Sequence, residues 1–293
     1  MLKVHKISKS QAWQRTGRAG RESPGVCYRL FTEADYESMP LSTVPEILRS
    51  NLASVVLQLI ALGINDVLNF DFMSKPSDEL LEAALSELEL LGAATKQIEA
   101  RKVGDEDESS GPMPKKRLAS VKYELSEIGK RMAQFPLDPK LSRCILGAEK
   151  LGCVEEVIKI VSVLSVESVF HNASNIASQA KRDQAQAVRQ KFSSADGDHI
   201  TALNVFKAFV ANKCSKEWAG ENHLDFKNLK MANEIAKQLR DVCARSGVRV
   251  TSSLNDTVGI RNALISGFFM NAAEYQKENE YKTVSDAGFV LDL

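Results

Sequence analysis

The sequence lacks any excess of charge: across 293 residues, Lys and Arg together number 38, and so do Asp and Glu. With no overall field to draw in a polyanion, any nucleic-acid contact has to come from local arrangement of basic side chains. Cysteine is sparse. Cys27, Cys144, Cys153, Cys214 and Cys243 show no Cys-x-x-Cys or Cys/His ligand spacing, which argues against zinc and fits reduced, buried thiols in a reducing compartment. No apolar run approaches the roughly 18 residues of a membrane span; the longest candidate, Val154 to Val166, is broken by Glu155, Glu156 and Lys159. Met1 to Trp13 contains no apolar signal core. These absences lead to the expectation of an intracellular soluble protein that does not engage a membrane. What is present, 44% hydrophobic, 26% charged and only 6% aromatic residues, suits a mainly helical globular chain long enough for two or three compact units.

The periodicity divides the chain. Up to about Pro40 the reading is strand and turn, with Gly25 to Phe31 the strand, following the turn signals Ser23-Pro24-Gly25. From Val44 the pattern becomes helical: a helix opening at Pro45-Glu46 and carrying Leu48, Leu52, Val55, Val56, Leu59 and Ile60 to a stop at Gly63. A second helix opens at Pro76-Ser77-Asp78-Glu79 and runs through Leu81, Ala84, Leu88 and Leu91 to Gly92. Periodicity is lost between Thr95 and Lys122. There Gly104 to Pro112, followed by Lys115-Lys116-Arg117, reads as a flexible, charge-segregated insertion at the tip of a long hairpin, closed by a short strand at Val121 to Leu125. Two helices and a hairpin are compatible with a winged helix, and equally with a generic small α/β unit.

Beyond Gly129 nearly everything to Ala273 reads as helix. Stripes recur at Leu141, Ile145, Ala148 and Leu151, at Val154, Val157, Ile158 and Val161, at Leu203, Phe206 and Val210, at Leu229, Ala232, Ala236, Leu239 and Cys243, and at Ile260, Leu264, Ile265 and Phe268. Short breakers between them favour a bundle. Glu280 to Val284 and Ala287 to Leu291 read as two short strands, and the chain is expected to be truncated at both ends.

One string carries candidate chemistry. Gln14-Arg15-Thr16-Gly17-Arg18-Ala19-Gly20-Arg21 places three guanidinium groups and an amide on a short element with glycines that allow close backbone approach. Guanidinium forks suit phosphate oxygens, and an arginine reaching a γ-phosphate stabilises the charge of phosphoryl transfer. As bare chemistry, such a cluster also serves as a solvated loop or a simple anion patch.

The complete string Gln-Arg-x-Gly-Arg-x-Gly-Arg resembles the last helicase motif of superfamily 2 enzymes, and Ile7 to Trp13 before it is similar to the DEAH-box branch. The resemblance continues through Arg49-Ser50-Asn51-Leu52-Ala53, Leu68 to Met73, Leu91-Gly92-Ala93, Leu125 to Ala133, Phe135-Pro136-Leu137-Asp138-Pro139, Gly197-Asp198-His199, Leu203-Asn204 and Phe268 to Ala273. It implies the C-terminal portion of an ATP-dependent RNA helicase. Gln-Ala-Trp-Gln-Arg-Thr-Gly, Phe-Met-Ser-Lys-Pro and Leu-Ser-Val-Glu-Ser-Val-Phe-His-Asn are most similar to a nucleolar branch engaged in ribosomal RNA synthesis. The resemblance implies four parts: the C-terminal end of a second RecA-like domain (1–42), a winged-helix domain with an insertion near 100–118 (43–128), a helical-bundle ratchet domain (129–275) and the truncated start of an oligonucleotide-binding (OB) fold (276–293). It gives Gln14 the role of helping to place the attacking water and Arg18 and Arg21 that of meeting the γ-phosphate as catalytic and cofactor-binding groups, with Arg15 structural or relaying.

The departures limit this reading. The chain contains no Gly-x-x-x-x-Gly-Lys-Ser/Thr phosphate loop and no Asp-Glu-Ala-His string. ATP with Mg²⁺ is thus expected of the full-length family, with neither binding this chain alone. RNA is the implied partner, with Lys181, Arg182, Arg189 and Lys191 as candidate contacts, each of which also fits a solvated helix face. Helicase-activating proteins are further candidate partners. His171, His199 and His223 lack ligand spacing, and no metal is expected. Pro114-Lys115-Lys116-Arg117 is a candidate nuclear import signal; the implied location is nuclear or nucleolar, or alternatively cytoplasmic. A competing reading is a non-catalytic RNA-binding or helicase-cofactor-binding adaptor.

Overall fold

The computed structural model describes residues 6–99, 120–170, 186–254, 256–275 and 281–283. It is mainly helical, as the periodicity predicts. Helix α1 (Lys9–Thr16) starts with a capping box: Ser8 Oγ accepts from Gln11 N–H while the Gln11 amide oxygen accepts from Ser8 N–H, satisfying two donors that a helix start leaves open. Thr32 and Asp35 do the same for α2 (Glu33–Ser38).

The strand expected at Gly25 to Phe31 does not form. The segment runs between α1 and α2 with no strand partner among the described residues, and Val26, Tyr28 and Leu30 stand almost fully exposed. β-Branched and aromatic residues make a strand only where a neighbour completes the ladder. The segment is held instead by Arg29, whose guanidinium sits 4.5 Å from the Tyr36 ring centre and 5.7 Å from that of Trp13.

The continuous core begins at Leu52 and ends at Leu264. The helix expected from Pro45 divides in two. Glu46–Leu48 forms a single 3₁₀ turn, and α3 (Ala53–Ala61) starts afresh after Leu52, with the Asn51 side chain accepting from Ala53 N–H at 2.7 Å, the kind of local side-chain to backbone bond by which Asn competes with a continuous helix. The face then shifts: Val56, Leu57 and Ile60 are buried, while Val55 is exposed. Helix α4 (Asp78–Leu90) matches its expectation, with Ser77 capping its start and Gly92 turning at φ +70° beyond its end.

Strands β1 (Ala94–Glu99) and β2 (Ser120–Leu125) pair antiparallel, Ala94 opposite Leu125 and Glu99 opposite Ser120. The expected insertion near 100–118 and the import candidate at Pro114 to Arg117 lie outside the described residues. The hairpin base is tied to α3 and α4 through Asn65, whose carbonyl accepts from Tyr123 N–H.

The remaining helices are α5 (Glu127–Met132), α6 (Pro139–Leu151), α7 (Val154–Leu164), α8 (Asp198–Ala211), α9 (Lys216–Glu221), α10 (Phe226–Arg245) and α11 (Thr257–Phe268). Helix α11 lies along α6, and α7 packs against both α8 and α10. The α6–α11 crossing depends on small residues: a Cβ at Gly267 would fall on the Lys140 carbonyl oxygen, and one at Gly147 on Ser266 Oγ. Strand β4 (Tyr281–Thr283) pairs with β3 (Ala273–Tyr275), a partner the periodicity did not indicate; the second strand expected, at Ala287 to Leu291, lies outside the described residues.

Burial matches expectation for Cys144, Cys153 and Cys243, where loss of solvent pushes the thiols up to about 12, 11 and 11. Cys27 is exposed instead, on the segment that no strand covers.

Candidate functional site

Gln14 and Arg15 occupy the last turn of α1, and Gly17 caps it by donating to the carbonyls of Trp13 and Arg15. The chain then tightens through Arg18 N–H to Arg15 O and Ala19 N–H to Thr16 O. Gly20, at φ +81°, turns it back, and Gly25 packs so closely that a Cβ there would stand 2.7 Å from Gly20 N. Gln14, Arg15 and Arg18 thereby line one shallow pocket with Gln11, while Arg21 lies outside that lining. All four motif side chains are exposed. Among the described residues none of the three arginines has a carboxylate partner within ion-pair distance. A helix C-terminus carries partial negative charge and favours cations beside it; here the guanidinium groups themselves, not the helix end, supply the attraction for an anion.

The second set of candidates is only partly visible. Lys181, Arg182 and His171 lie outside the described residues. Arg189 and Lys191 are exposed on a short segment fixed at three points: Val188 is buried, Phe192 meets the Trp218 ring edge-on at 6.0 Å, and the Asn204 side chain donates to Phe192 O. Arg189 lies over the Phe170 ring, 4.6 Å from its centre. Gly197 and Asp198 start α8, and the His199 ring stacks on Phe268. Phe268, Phe269 and Met270 pack against the core. No cluster of three or more potential metal ligands occurs among the described residues.

A further polar chain was not singled out from the sequence. Asn51 Nδ2 donates to Glu87 Oε2 at 2.9 Å, the Lys140 ammonium stands 3.9 Å from Glu87 Oε1, and it reaches Asn271 Oδ1 at 3.5 Å. Glu87 Oε1 is buried without a hydrogen-bond partner among the described residues. The available signal was proximity to the quoted stretches: Asn51 lies in Arg49 to Ala53, Lys140 follows Pro139, and Asn271 lies in Phe268 to Ala273. The network joins the segment before α3, α4, the start of α6 and the turn after α11.

Comparison with known proteins bears on the family of the chain. Residues 138–202 match the family described as Helicase associated domain (HA2), ratchet-like. Over 283 residues, 97% of the chain, it is 43% identical to the ATP-dependent RNA helicase DHX33 of Mus musculus, covering 37% of that protein, and equally to the DHX33 of Homo sapiens, covering 36%. It is also 35% identical over 306 residues to the pre-mRNA-splicing factor ATP-dependent RNA helicase DEAH10 of Arabidopsis thaliana, covering 38% of it. The chain thus spans little more than a third of the length of the curated relatives it matches, in their C-terminal part. No helix among the described residues is long and apolar enough to cross a membrane.

Proposed function

The chain is homologous over nearly all its length to the C-terminal portion of DEAH-box RNA helicases, and from that premise we propose that it forms the RNA-side wall and part of the nucleotide-closing arm of an ATP-dependent RNA helicase. The observation that carries the reading is the display of Gln14, Arg15 and Arg18 around one pocket, with no carboxylate among the described residues within ion-pair distance of the arginines. In this reading residues 1–42 end a second RecA-like domain, 43–128 form a winged helix whose wing is the β1–β2 hairpin, 129–275 form the ratchet, and 276–293 begin an OB fold. Gln14 helps to place the attacking water; Arg18 and Arg21 meet the γ-phosphate as two RecA-like domains close on ATP and Mg²⁺. The substrate is RNA, handled in ribosome biogenesis or another RNA-processing step at a nuclear or nucleolar location, with protein activators as further partners.

The arginines have no phosphate loop to work against within these 293 residues. The purified chain alone should therefore show no RNA-stimulated ATP hydrolysis. Placed in one polypeptide with a phosphate loop and an Asp-Glu-Ala-His segment of a close relative, it should support turnover that Arg18→Ala or Arg21→Ala lowers by about 10³-fold or more, the usual scale for an arginine that meets the transferred phosphoryl group. Turnover by the purified chain, or full turnover by the arginine variants, would sink the assignment.

A further inference from the structure

Apolar residues recurring at helical spacing belong inside, yet two that the stripes predict as core are 41% and 47% exposed: Leu151 on α6 and Ile265 on α11. Both border a single cleft of about 480 Å³ between α5, α6 and α11. Gly147 and Ser266 also line it, where a Cβ on Gly147 would fall on Ser266 Oγ. Ile128 of α5 adds a third apolar wall.

The charges around the cleft do not balance. Glu149 is the sole lining carboxylate among the described residues, and it is already engaged, accepting from the Arg131 guanidinium at 2.7 Å and from Arg249 N–H at 3.4 Å. That leaves Arg143 and Lys150. Arg143 is half-buried, its Nε donates to Leu91 O at 3.2 Å, and no carboxylate meets it among the described residues. Burial pushes its pKa down, the mark of a cation held short of solvent and counter-charge. Asn262 lines the rim, exposed.

We infer that this cleft is a docking site for a short acidic and apolar segment of a partner protein. One large apolar side chain lies between Ile128, Leu151 and Ile265, a neighbouring carboxylate meets Arg143 and Lys150, and Asn262 bonds the segment's backbone. Such a mainly apolar recess with a few convergent polar groups has the form of a ligand site, and a carboxylate on a desolvated guanidinium gives a strong charge-assisted bond. RNA suits it less: among the described residues the lining contains no aromatic ring on which a base could stack. A second copy of the chain suits it less too, since a two-fold contact through this cleft would bring two copies of the same cationic patch together. The inference goes beyond the helicase reading and does not depend on it.

The test is selection of short displayed peptides on the 293-residue chain, followed by fluorescence anisotropy with a labelled peptide from the enriched set. Enriched sequences should place Asp or Glu beside Leu, Phe or Trp. Arg143→Gln should weaken binding by about tenfold or more, the scale of one lost hydrogen bond to a charged group, and Ile265→Asp should abolish it. Lys150→Glu, at an exposed position, should also weaken it, and it guards against a folding defect in the Arg143 variant; Lys230→Gln on α10 should change nothing. The proposal falls if no such pattern is enriched, if the peptides bind the Ile265 and Lys150 variants as they bind the parent, if single-stranded RNA displaces them, or if the chain proves to be a dimer that Ile265→Asp dissociates.

Discussion

Gly267 shows how one residue sets the distance between two helices. It lies on α11 where Lys140 O and Cys144 Sγ of α6 leave no room for a Cβ, and neither atom is the loose end of a flexible side chain. Gly267→Ala should therefore spread the crossing and destabilise the chain by about 1–3 kcal/mol, the usual cost of overpacking, despite the better helix propensity of Ala. A urea midpoint equal to that of the parent would show that the crossing tolerates the methyl group. None of this was legible in the sequence, where Gly267 is simply a glycine near a helix end. Individual fates are set by neighbours distant in the chain. The sequence predicts burial for Cys27 as for the others, but Cys27 is exposed on a segment with no strand beside it among the described residues, whereas Cys144 is buried against the Leu264 carbonyl of α11, to which its thiol donates.

Elements were far more legible than residues, because local signals decide them. Ser77, Asp138 before Pro139, and Asp225 each cap the helix that the pattern announces after them. The structure departs from the pattern where a local side-chain bond or a distant partner prevails: Asn51 at the break in one expected helix, and β1 and β3 recognisable only by pairing with β2 and β4. Pairs of elements are also fastened by charge. Glu155 at the start of α7 receives two bonds from Arg240 of α10, at 2.9 and 2.6 Å, and lies 3.0 Å from Lys159. Burial raises the carboxyl's pKa, but Arg240 and Lys159 outweigh it, so the folded value lies below the ordinary 4.5. A lowered folded pKa gives stability that is present above the unfolded value and lost as the pH falls through the folded one. Arg240→Gln should thus cost about 1–3 kcal/mol at pH 7, and the gap between variant and parent should shrink as the pH drops from 4.5 toward and below the folded value. Urea titrations across that range would measure it; a gap that stays constant in acid would mean that the pair contributes through packing alone.

For the whole molecule, the zero net charge makes the RNA reading demanding, since no global attraction helps. Every increment of affinity has to come from particular cations at particular phosphates. The motif arginines, Arg15 at the end of α1 and Arg18 and Arg21 beyond it, stand in one string of eight residues that singles them out; of the candidate wall the sequence named Arg189 and Lys191 but not Phe170 and Asn204, which join the 186–192 segment only in the fold. If Arg189 and Lys191 each engage a phosphate of single-stranded RNA, log Kd plotted against log salt should lose about 0.7 of slope for each one replaced by Gln. Phe170→Ala should act differently. It removes the ring beneath the Arg189 guanidinium but leaves the charge, so the ion still displaces a counterion when bound while losing the order that prepares it. Affinity should fall with the slope retained. Anisotropy with a labelled single strand at several salt concentrations separates these outcomes: parent slope and weaker binding for Phe170→Ala assigns the ring to positioning, and a slope unchanged in Arg189→Gln and Lys191→Gln removes both from the RNA contact.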